Sequence, residues 1–251
     1  MKTQPWQDLR DELDRWAEAG RTATLWWRDD DAVMPGPLLD RLAESAAGAP
    51  VSLAVIPALA DPALKDFLDR HPSFSVIQHG YEHRNHAGPG EKKCEFPDSR
   101  DVDAMLADLA KGREKLSALF DSRFRPALAP PWNRIADALP AQLETVGLSG
   151  LSTYRRSDRP SGPRCWVDTH CDIIAWRGSR GFVGDQEALA LIANHLRARR
   201  DGETIDEPTG VMTHHIVHDE ACWVFLRSLA ALVAGHPAAD WIDPFSGLVS
   251  K

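Results

Sequence analysis

Short apolar runs alternate with amphipathic stretches along most of the chain. The runs are rich in β-branched and aromatic residues and predict seven strands, over residues 22–27, 51–56, 74–77, 126–131, 148–154, 172–176 and 210–217. The stretches between them have apolar residues at helical spacing and predict helices, over residues 35–47, 61–70, 102–120, 140–146 and 186–200. Asp219 is the predicted N-cap of a last helix.

Strand and helix follow each other about seven times, which predicts an α/β fold with a parallel sheet and outer helices. The strands are continuously apolar, as expected when both faces of a sheet are buried. At 251 residues, the simplest arrangement is a single (β/α) barrel domain with about seven parallel strands, and an open doubly wound sheet is the alternative. We expect an N-terminal helix within residues 1–20 and a C-terminal tail over residues 238–251.

Composition narrows the classes of partner. With 29 basic and 37 acidic residues the formal charge is −8, which argues against a nucleic-acid surface. No apolar run approaches the roughly 20 residues of a membrane span, and the N-terminus is polar, so we expect a cytoplasmic protein. The four cysteines are scattered without a C-x-x-C pair, which favours reduced thiols over disulfides or a cysteine zinc site.

Histidines are unevenly placed along the chain. Six of the 10 fall in two short windows, at His79, His83, His86, His214, His215 and His218. Clustered imidazoles are either metal ligands or an accident of polar loops. Polar segments follow the predicted strands at residues 29–31, 79–83, 130–133 and 214–215. The carboxyl ends of parallel strands are where α/β folds place their active sites, so we expect one site there.

The residue types at these strand ends indicate hydrolysis. One carboxylate and two imidazoles make a three-ligand site with an open position for water, the arrangement of hydrolytic zinc enzymes. Such a metal lowers the pKa of bound water to about 7 and polarises a carbonyl. A further aspartate can act as base and a further histidine can protonate the leaving group. The chain therefore predicts a hydrolase with Zn²⁺ or another divalent metal such as Co²⁺ or Ni²⁺.

Four motifs in order resemble those of the polysaccharide deacetylases, carbohydrate esterase family 4. W-R-D-D-D at 27–31 is similar to T-F-D-D-G, and H-G-Y-E-H at 79–83 is similar to H-[ST]-x-x-H. A-P-P-W-N at 129–133 is similar to R-P-P-Y-G, and M-T-H at 212–214 is similar to L-x-H. The resemblance spans residues 22 to about 220. It implies a distorted (β/α) barrel that removes N-acetyl groups from amino sugars.

The resemblance also implies roles for individual residues. Asp29 would be the general base and His214 the general acid, while Asp30, His79 and His83 would hold the metal. Pro131, Trp132 and Asn133 would line the substrate site, with Trp132 stacking on a sugar ring. Supporting residues would be Asp31, Arg125, Asp172 and His215. We expect a carbohydrate or another small-molecule substrate and no nucleic-acid partner.

The motifs depart from the family at three positions. Asp31 stands at the family glycine, so base and ligand could shift by one residue to Asp30 and Asp31. Gly80 stands at the Ser or Thr that steadies the histidine loop. Ala129 stands at the motif's arginine, and the candidates to replace it are Arg28, Arg125 and Arg134. The fourth family motif is only loosely present, with Asp172 and Trp176 as candidates and Asp168 and His170 as alternatives.

Three other functions compete with this prediction. Residues 79–83 also satisfy H-x-x-E-H, the inverted zinc-protease motif with Glu82 as base, although that motif belongs in a helix and Gly80 disfavours one. Residues 29–31 contain the D-x-D pattern of many glycosyltransferases, which leaves the histidines without a role. The missing motif arginine raises the third possibility, a non-catalytic barrel that binds metal or sugar.

Overall fold

The computed structural model describes residues 4–156 and 158–248. These residues contain nine strands: β1 (Ala23–Ala32), β2 (Val51–Val55), β3 (Phe74–His79), β4 (Phe124–Ala129), β5 (Gly150–Leu151), β6 (Cys165–Trp166), β7 (Cys171–Asp172), β8 (Thr209–Thr213) and β9 (Ala239–Trp241). They also contain six α-helices: α1 (Gln4–Glu18), α2 (Pro37–Ala46), α3 (Leu64–Arg70), α4 (Val102–Phe120), α5 (Asp185–Asp201) and α6 (Glu220–Ala234). Short 3₁₀ helices cover Pro131–Asn133, Pro140–Val146 and His215–Val217, among others.

The chain divides into two compact units. The first comprises the residues up to Asp29, then Gly36–Val51 and Thr169–Asp243. Within it, β1 pairs in parallel with β8 and β9, and β8 pairs in parallel with β7. Helix α1 packs against α5, and α2 packs against α6. The β1–β8 register places Asp29 opposite Thr213 at the carboxyl end of β8, which brings the first aspartate beside the His214–His215 segment.

The second unit comprises Asp30–Pro35, Ser52–Asp168 and the residues from Pro244. Its strands follow the order β2-β3-β4-β5-β6, and the β3–β4, β4–β5 and β5–β6 pairs are parallel. Helix α4 packs on β3 and β4, with apolar side chains such as Met105, Leu109 and Leu116 fully buried. The β3–β4 register places His79 opposite Ala129, so the histidine motif and the third motif begin side by side.

The predicted fold class, a distorted (β/α) barrel built on parallel strands, is confirmed. The predicted N-cap of the last helix is also confirmed, because the Asp219 side chain accepts a hydrogen bond from the Cys222 N–H. Within the described residues, no helix combines the length and the apolar character that crossing a bilayer requires.

Several element boundaries differ from the prediction. β1 continues through the three aspartates to Ala32, because ladder hydrogen bonds and buried side-chain partners hold polar residues in the strand. The predicted strand 172–176 shrinks to Cys171–Asp172, and the predicted strand 210–217 ends at Thr213, where a 3₁₀ turn begins. β6 and β9 lack long apolar runs and were not predicted. β9 lies in the segment predicted as a tail, and the ends of both terminal segments, residues 1–3 and 249–251, lie outside the described residues.

Candidate functional site

A carboxylate and two imidazoles meet in the second unit. Nε2 of His79 lies 3.2 Å and Nε2 of His83 lies 3.3 Å from the same oxygen, Oδ1 of Asp31. One ligand atom from each residue lies within 4.8 Å of the other two. His79 is buried, whereas the side chains of Asp31 and His83 remain about a quarter exposed (23% and 25%), so the group opens to solvent on one side. This donor set fits a three-ligand divalent metal site with a free position.

Hydrogen bonding fixes which nitrogen of His79 faces the group. Nδ1 of His79 lies 2.9 Å from the carbonyl oxygen of Ala129, which can only accept, so Nδ1 carries the proton. In the neutral ring Nε2 is then the nitrogen without a proton, and it faces Asp31 as a metal ligand would. Burial lowers the pKa of His83, and the neighbouring charge of His79 lowers it further, although Asp31 opposes the shift. Both effects favour the neutral imidazole that binds a metal.

The third motif forms one wall beside the histidines. The Trp132 ring lies 4.5 Å from the His83 ring, centroid to centroid. Trp132 and Asn133 have φ values of 57° and 55°, in the left-handed region that costs non-glycine residues of order 1–2 kcal/mol each. The buried Pro131 precedes them and the Asn133 N–H donates to the Pro130 carbonyl at 2.9 Å, closing the turn. The predicted substrate residues thus lie in a strained turn against a candidate metal ligand.

Asp31, and not Asp30, is the aspartate that lies beside the two histidines. The group formed by the described residues contains Asp31, the residue predicted to support, and does not contain Asp30. Asp30 is 2% exposed within β1, whereas Asp31 has a φ of 68°. The left-handed backbone at Asp31 departs from regular strand geometry. Within the described residues, Asp31 is thus the aspartate whose carboxylate oxygen lies beside both histidine rings.

In the first unit, the Asp29 carboxylate is fully enclosed by the turn that follows β8. Its Oδ2 accepts hydrogen bonds from the Thr213 hydroxyl at 2.5 Å and from the His215 N–H at 3.0 Å. Its Oδ1 lies 2.5 Å from Nδ1 of His215, and the side chain is 0% exposed. Burial alone would raise the pKa of Asp29, but the charge and hydrogen bonds of His215, with smaller contributions from His218 and Thr213, lower it overall. The predicted base is thus an ionised carboxylate that accepts three hydrogen bonds.

His214 lies between the two residues that Asp29 holds. Its ring meets the Trp176 ring edge-on at 4.8 Å, and Trp176 Nε1 donates to Asp172 Oδ2 at 2.7 Å. Asp172 and Trp176, the candidates for the loosely matching fourth motif, are therefore brought to the predicted acid. The His214 N–H lies 3.3 Å from Nε2 of His218, which accepts it. His218 thus also holds the turn.

The three candidate replacements for the motif arginine lie in different places. Arg28 is fully buried in β1. Arg134 follows the third motif and donates from Nη1 to the Lys93 carbonyl at 2.8 Å. Arg125, the candidate given a supporting role, lies at the amino end of β4 and donates to the Ser122 carbonyl. Four residues of strand, about 13 Å, separate Arg125 from the carboxyl end of β4 where the histidines lie.

A second group of possible ligands, His170, His195 and Glu207, lies in the first unit. The Gly210 N–H donates to Nδ1 of His170 at 3.0 Å, so the neutral ring carries its proton on Nε2. That Nε2 faces Oε1 of Glu207 at 3.4 Å, and the two imidazole rings stack at 3.4 Å between centroids. A protonated nitrogen cannot bind a metal. Hydrogen bonding and stacking therefore account for this group without an ion.

Comparison with known proteins identifies the fold. No family model matches the sequence, and no curated protein matches it. Among solved structures, the chain is similar to a protein assigned as a polysaccharide deacetylase from Mycobacterium smegmatis, with TM-score 0.64, 16% identity, and coverage of 88% of this chain and 87% of that one. It is also similar to the family 4 carbohydrate esterase from Streptomyces lividans, solved with acetate (TM-score 0.55, 12% identity, 90% and 96% covered).

A third similar structure is a family 4 pseudoenzyme from Bacillus anthracis (TM-score 0.55, 12% identity, 87% of this chain and 63% of that one). At such identities the likeness establishes the fold and leaves the activity open. The resemblance drawn from the four motifs is therefore confirmed at the level of a divergent polysaccharide-deacetylase fold.

Proposed function

We propose that this protein is a metal-dependent hydrolase that removes an acetyl group from an N-acetylated amino sugar or a related amide. The observation that carries the proposal is the convergence of the His79 and His83 Nε2 atoms on Oδ1 of Asp31. The ligand set, the lowered pKa of His83 and the opening of the group to solvent together suit a catalytic metal better than a structural one.

Asp31, His79 and His83 would hold the metal. Zn²⁺, Co²⁺ or Ni²⁺ bound there supplies a Lewis acid and an acidified water. The Ala129 carbonyl holds His79 by its Nδ1–H and keeps Nε2 directed at the metal position. Because Ala129 stands where the family has arginine, this position contributes a backbone oxygen and no charge.

We assign the general base to Asp30, in place of Asp29. In the family motif the base directly precedes the ligand aspartate, so a ligand at Asp31 shifts the base to Asp30. Asp29 already accepts three hydrogen bonds and is fully buried, so accepting a proton would disrupt the turn that it holds. Arg28 and Asp30 alternate with Asp29 along β1 and point to the same face of that strand, which makes Arg28 the strongest replacement for the motif arginine.

The general acid remains assigned to His214. It follows β8 at the position of the family histidine, and its ring packs against the edge of Trp176. Asp172 fixes the Trp176 indole through its Nε1–H. Asp29 fixes the residues on both sides of His214, so the ring is held from two directions.

The substrate class rests on the aromatic wall and on the similar structures. Trp132 stands against His83, where an indole face can stack on a pyranose ring. One similar structure is a peptidoglycan N-acetylglucosamine deacetylase with a bound hydroxamate-type compound, at 13% identity and TM-score 0.54. An N-acetylated amino sugar is therefore the first substrate to test, presented singly or in a short oligosaccharide.

The geometry disfavours two of the competing functions. His79 ends a strand and residues 80–83 form a loop, whereas the inverted protease motif requires a helix. Glu82 is exposed on that loop. A D-x-D metal site would need the carboxylates of both Asp29 and Asp31, and that of Asp29 is already engaged by Thr213 and His215.

The test is acetate release by the metal-loaded protein. Purified protein is stripped with a chelator, reloaded with zinc, cobalt or nickel, and incubated with N-acetylglucosamine or tetra-N-acetylchitotetraose. We expect acetate release that depends on metal and is lost in Asp30→Asn with its metal retained. If every loaded form binds metal but none releases acetate from either substrate, the non-catalytic barrel is the better description, as for the similar pseudoenzyme.

A further inference from the structure

Glu95 is a buried acidic residue that no motif marks. It lies in the loop between β3 and α4 and is only 1% exposed. Its Oε1 accepts hydrogen bonds from the backbone N–H groups of Tyr81 at 3.1 Å and Glu82 at 2.8 Å. Both donors belong to the loop that joins His79 to His83, so one carboxylate oxygen holds the middle of the histidine loop.

Gly80 and Glu95 fit together as a pair. Gly80 has a φ of 58°, and a Cβ on it would lie 1.9 Å from Glu95 Oε2 and 2.7 Å from the ring of Pro131. The second oxygen of Glu95 therefore occupies the space that a side chain at position 80 would need. Any residue with a Cβ there would displace the carboxylate or the proline turn.

The loop needs such support because His83 is strained. Its φ of 57° lies in the left-handed region, which persists in a non-glycine residue only when the surroundings impose it. His79 is held by the Ala129 carbonyl. The Glu95 carboxylate oxygen holds the two residues that directly precede the turn into His83, because it accepts both of their backbone N–H groups.

We propose that Glu95 is a positioning residue for the metal centre, which holds the His79–His83 loop in the geometry that directs both Nε2 atoms at Asp31. In the family, a Ser or Thr at the position of Gly80 steadies this loop. Here the Glu95 carboxylate would steady the loop from across it. The inference rests on the proposed metal site and adds to it a residue outside the ligand set. Loss of such supporting partners typically lowers metal affinity about 10–100-fold.

Two simpler explanations of Glu95 must be separated from this one. Its negative charge could act on the nearby His79 at a distance, or its side chain could merely fill space. Burial raises the pKa of the Glu95 carboxyl, and the N–H groups of Glu82 and Tyr81 together with the charge of His79 only partly offset this. Isosteric substitution separates the role as hydrogen-bond acceptor from the charge, because an amide keeps an acceptor oxygen and carries no charge.

The experiment measures zinc and cobalt affinity by competition with a chromogenic chelator, for wild type and three variants. Glu95→Gln keeps the acceptor and the reach but has no charge. Glu95→Asp keeps the charge but withdraws the carboxylate by one methylene. Glu95→Met keeps the volume alone. Glu91→Gln is the matched control, because Glu91 also accepts a backbone N–H, from Gly88, but is exposed.

We expect Glu95→Gln and Glu91→Gln to stay within about threefold of wild type, and Glu95→Asp and Glu95→Met to lose about 10–100-fold. Circular dichroism of the metal-free proteins checks that each variant is folded. If Glu95→Met does not fold, Glu95→Asp alone provides the test. If Glu95→Asp binds metal tightly and Glu95→Gln binds it weakly, the charge of Glu95 is what supports the site, and the proposal is overturned. Equal affinity in all variants would also overturn it. His79→Ala is the reference: if it binds zinc like wild type, the metal site itself is wrong, a result separate from either outcome at Glu95.

Discussion

The carboxylate of Asp29 holds His215 at two points. Oδ2 accepts the backbone N–H at 3.0 Å, and Oδ1 accepts the ring Nδ1–H at 2.5 Å. Thr213, whose hydroxyl donates to the same Oδ2, takes a hydrogen bond from Trp27 Nε1 at 2.8 Å. The carboxylate that the motif order suggested as a base is thus the anchor of the turn that carries His214.

Asp29→Asn should therefore destabilise the protein and leave metal binding intact. The amide loses the charge-assisted bond to the His215 ring, so we expect the free energy of unfolding to fall by about 1–3 kcal/mol. Urea unfolding and zinc content measure the two effects. An unchanged free energy of unfolding would contradict the anchoring role, and loss of acetate release at unchanged stability would point to Asp29 as the general base.

Asp30 and Asp31 should separate catalysis from metal binding. Asp31→Asn removes a ligand, and we expect zinc content to fall to background. Asp30→Asn removes the base, and we expect full zinc content with acetate release reduced about 10²–10⁴-fold. His86→Ala is the control, since this exposed histidine lies in the same window without joining the ligand group. Loss of zinc from Asp30→Asn alone would restore the unshifted assignment.

The protein should bind one catalytic-type metal per chain. The Gly210 N–H holds His170 with its proton on Nε2, so the second group has no vacant nitrogen there. We expect elemental analysis to give one zinc per chain in both wild type and His170→Ala. Two zinc ions in wild type and one in His170→Ala would show that the second group binds metal after all.

His218 should make the protein less stable in mild acid. Burial lowers the pKa of His218 to about 4 from its ordinary 6.5, although the charge of Asp29 favours the protonated form. The unfolded chain therefore binds a proton at higher pH than the folded chain does, and the free energy of unfolding falls as the pH drops between these two values. In His218→Gln the amide oxygen can still accept the His214 N–H without titrating.

The comparison of the two proteins isolates this contribution from that of the carboxylates. We expect wild type to lose about 1–2 kcal/mol more than His218→Gln between pH 7.5 and pH 5, measured by urea unfolding. Parallel pH profiles for the two proteins would show that folding does not lower the pKa of His218.

The fold and the location of the site were predictable because they depend on patterns that repeat. Helix α4 was predicted with its observed bounds, since its apolar positions follow one face and Asp101 caps its start. The histidine loop and the proline turn were predicted at strand ends, and the structure places both there. The carboxyl ends of parallel strands lie at the same edge of the sheet, so segments that follow these strands are expected to lie there.

Which aspartate lies beside the histidines was not predictable, because the three candidates are adjacent in the sequence. Asp29, Asp30 and Asp31 are chemically alike, and only the distances in the structure show which one meets the histidines. Glu95 was also missed, since its partner N–H groups are about 13 positions away and leave no sequence pattern. The one available signal was Gly80, which indicates that something occupies the space of the usual side chain.

The most direct test is a crystal of the protein soaked with zinc and measured at the zinc absorption edge. We predict one anomalous peak, about 2.0–2.2 Å from Asp31 Oδ1, His79 Nε2 and His83 Nε2. A peak bound by Asp30 in place of Asp31, a peak at His170 and Glu207, or no peak at saturating zinc would contradict the metal centre proposed for this protein.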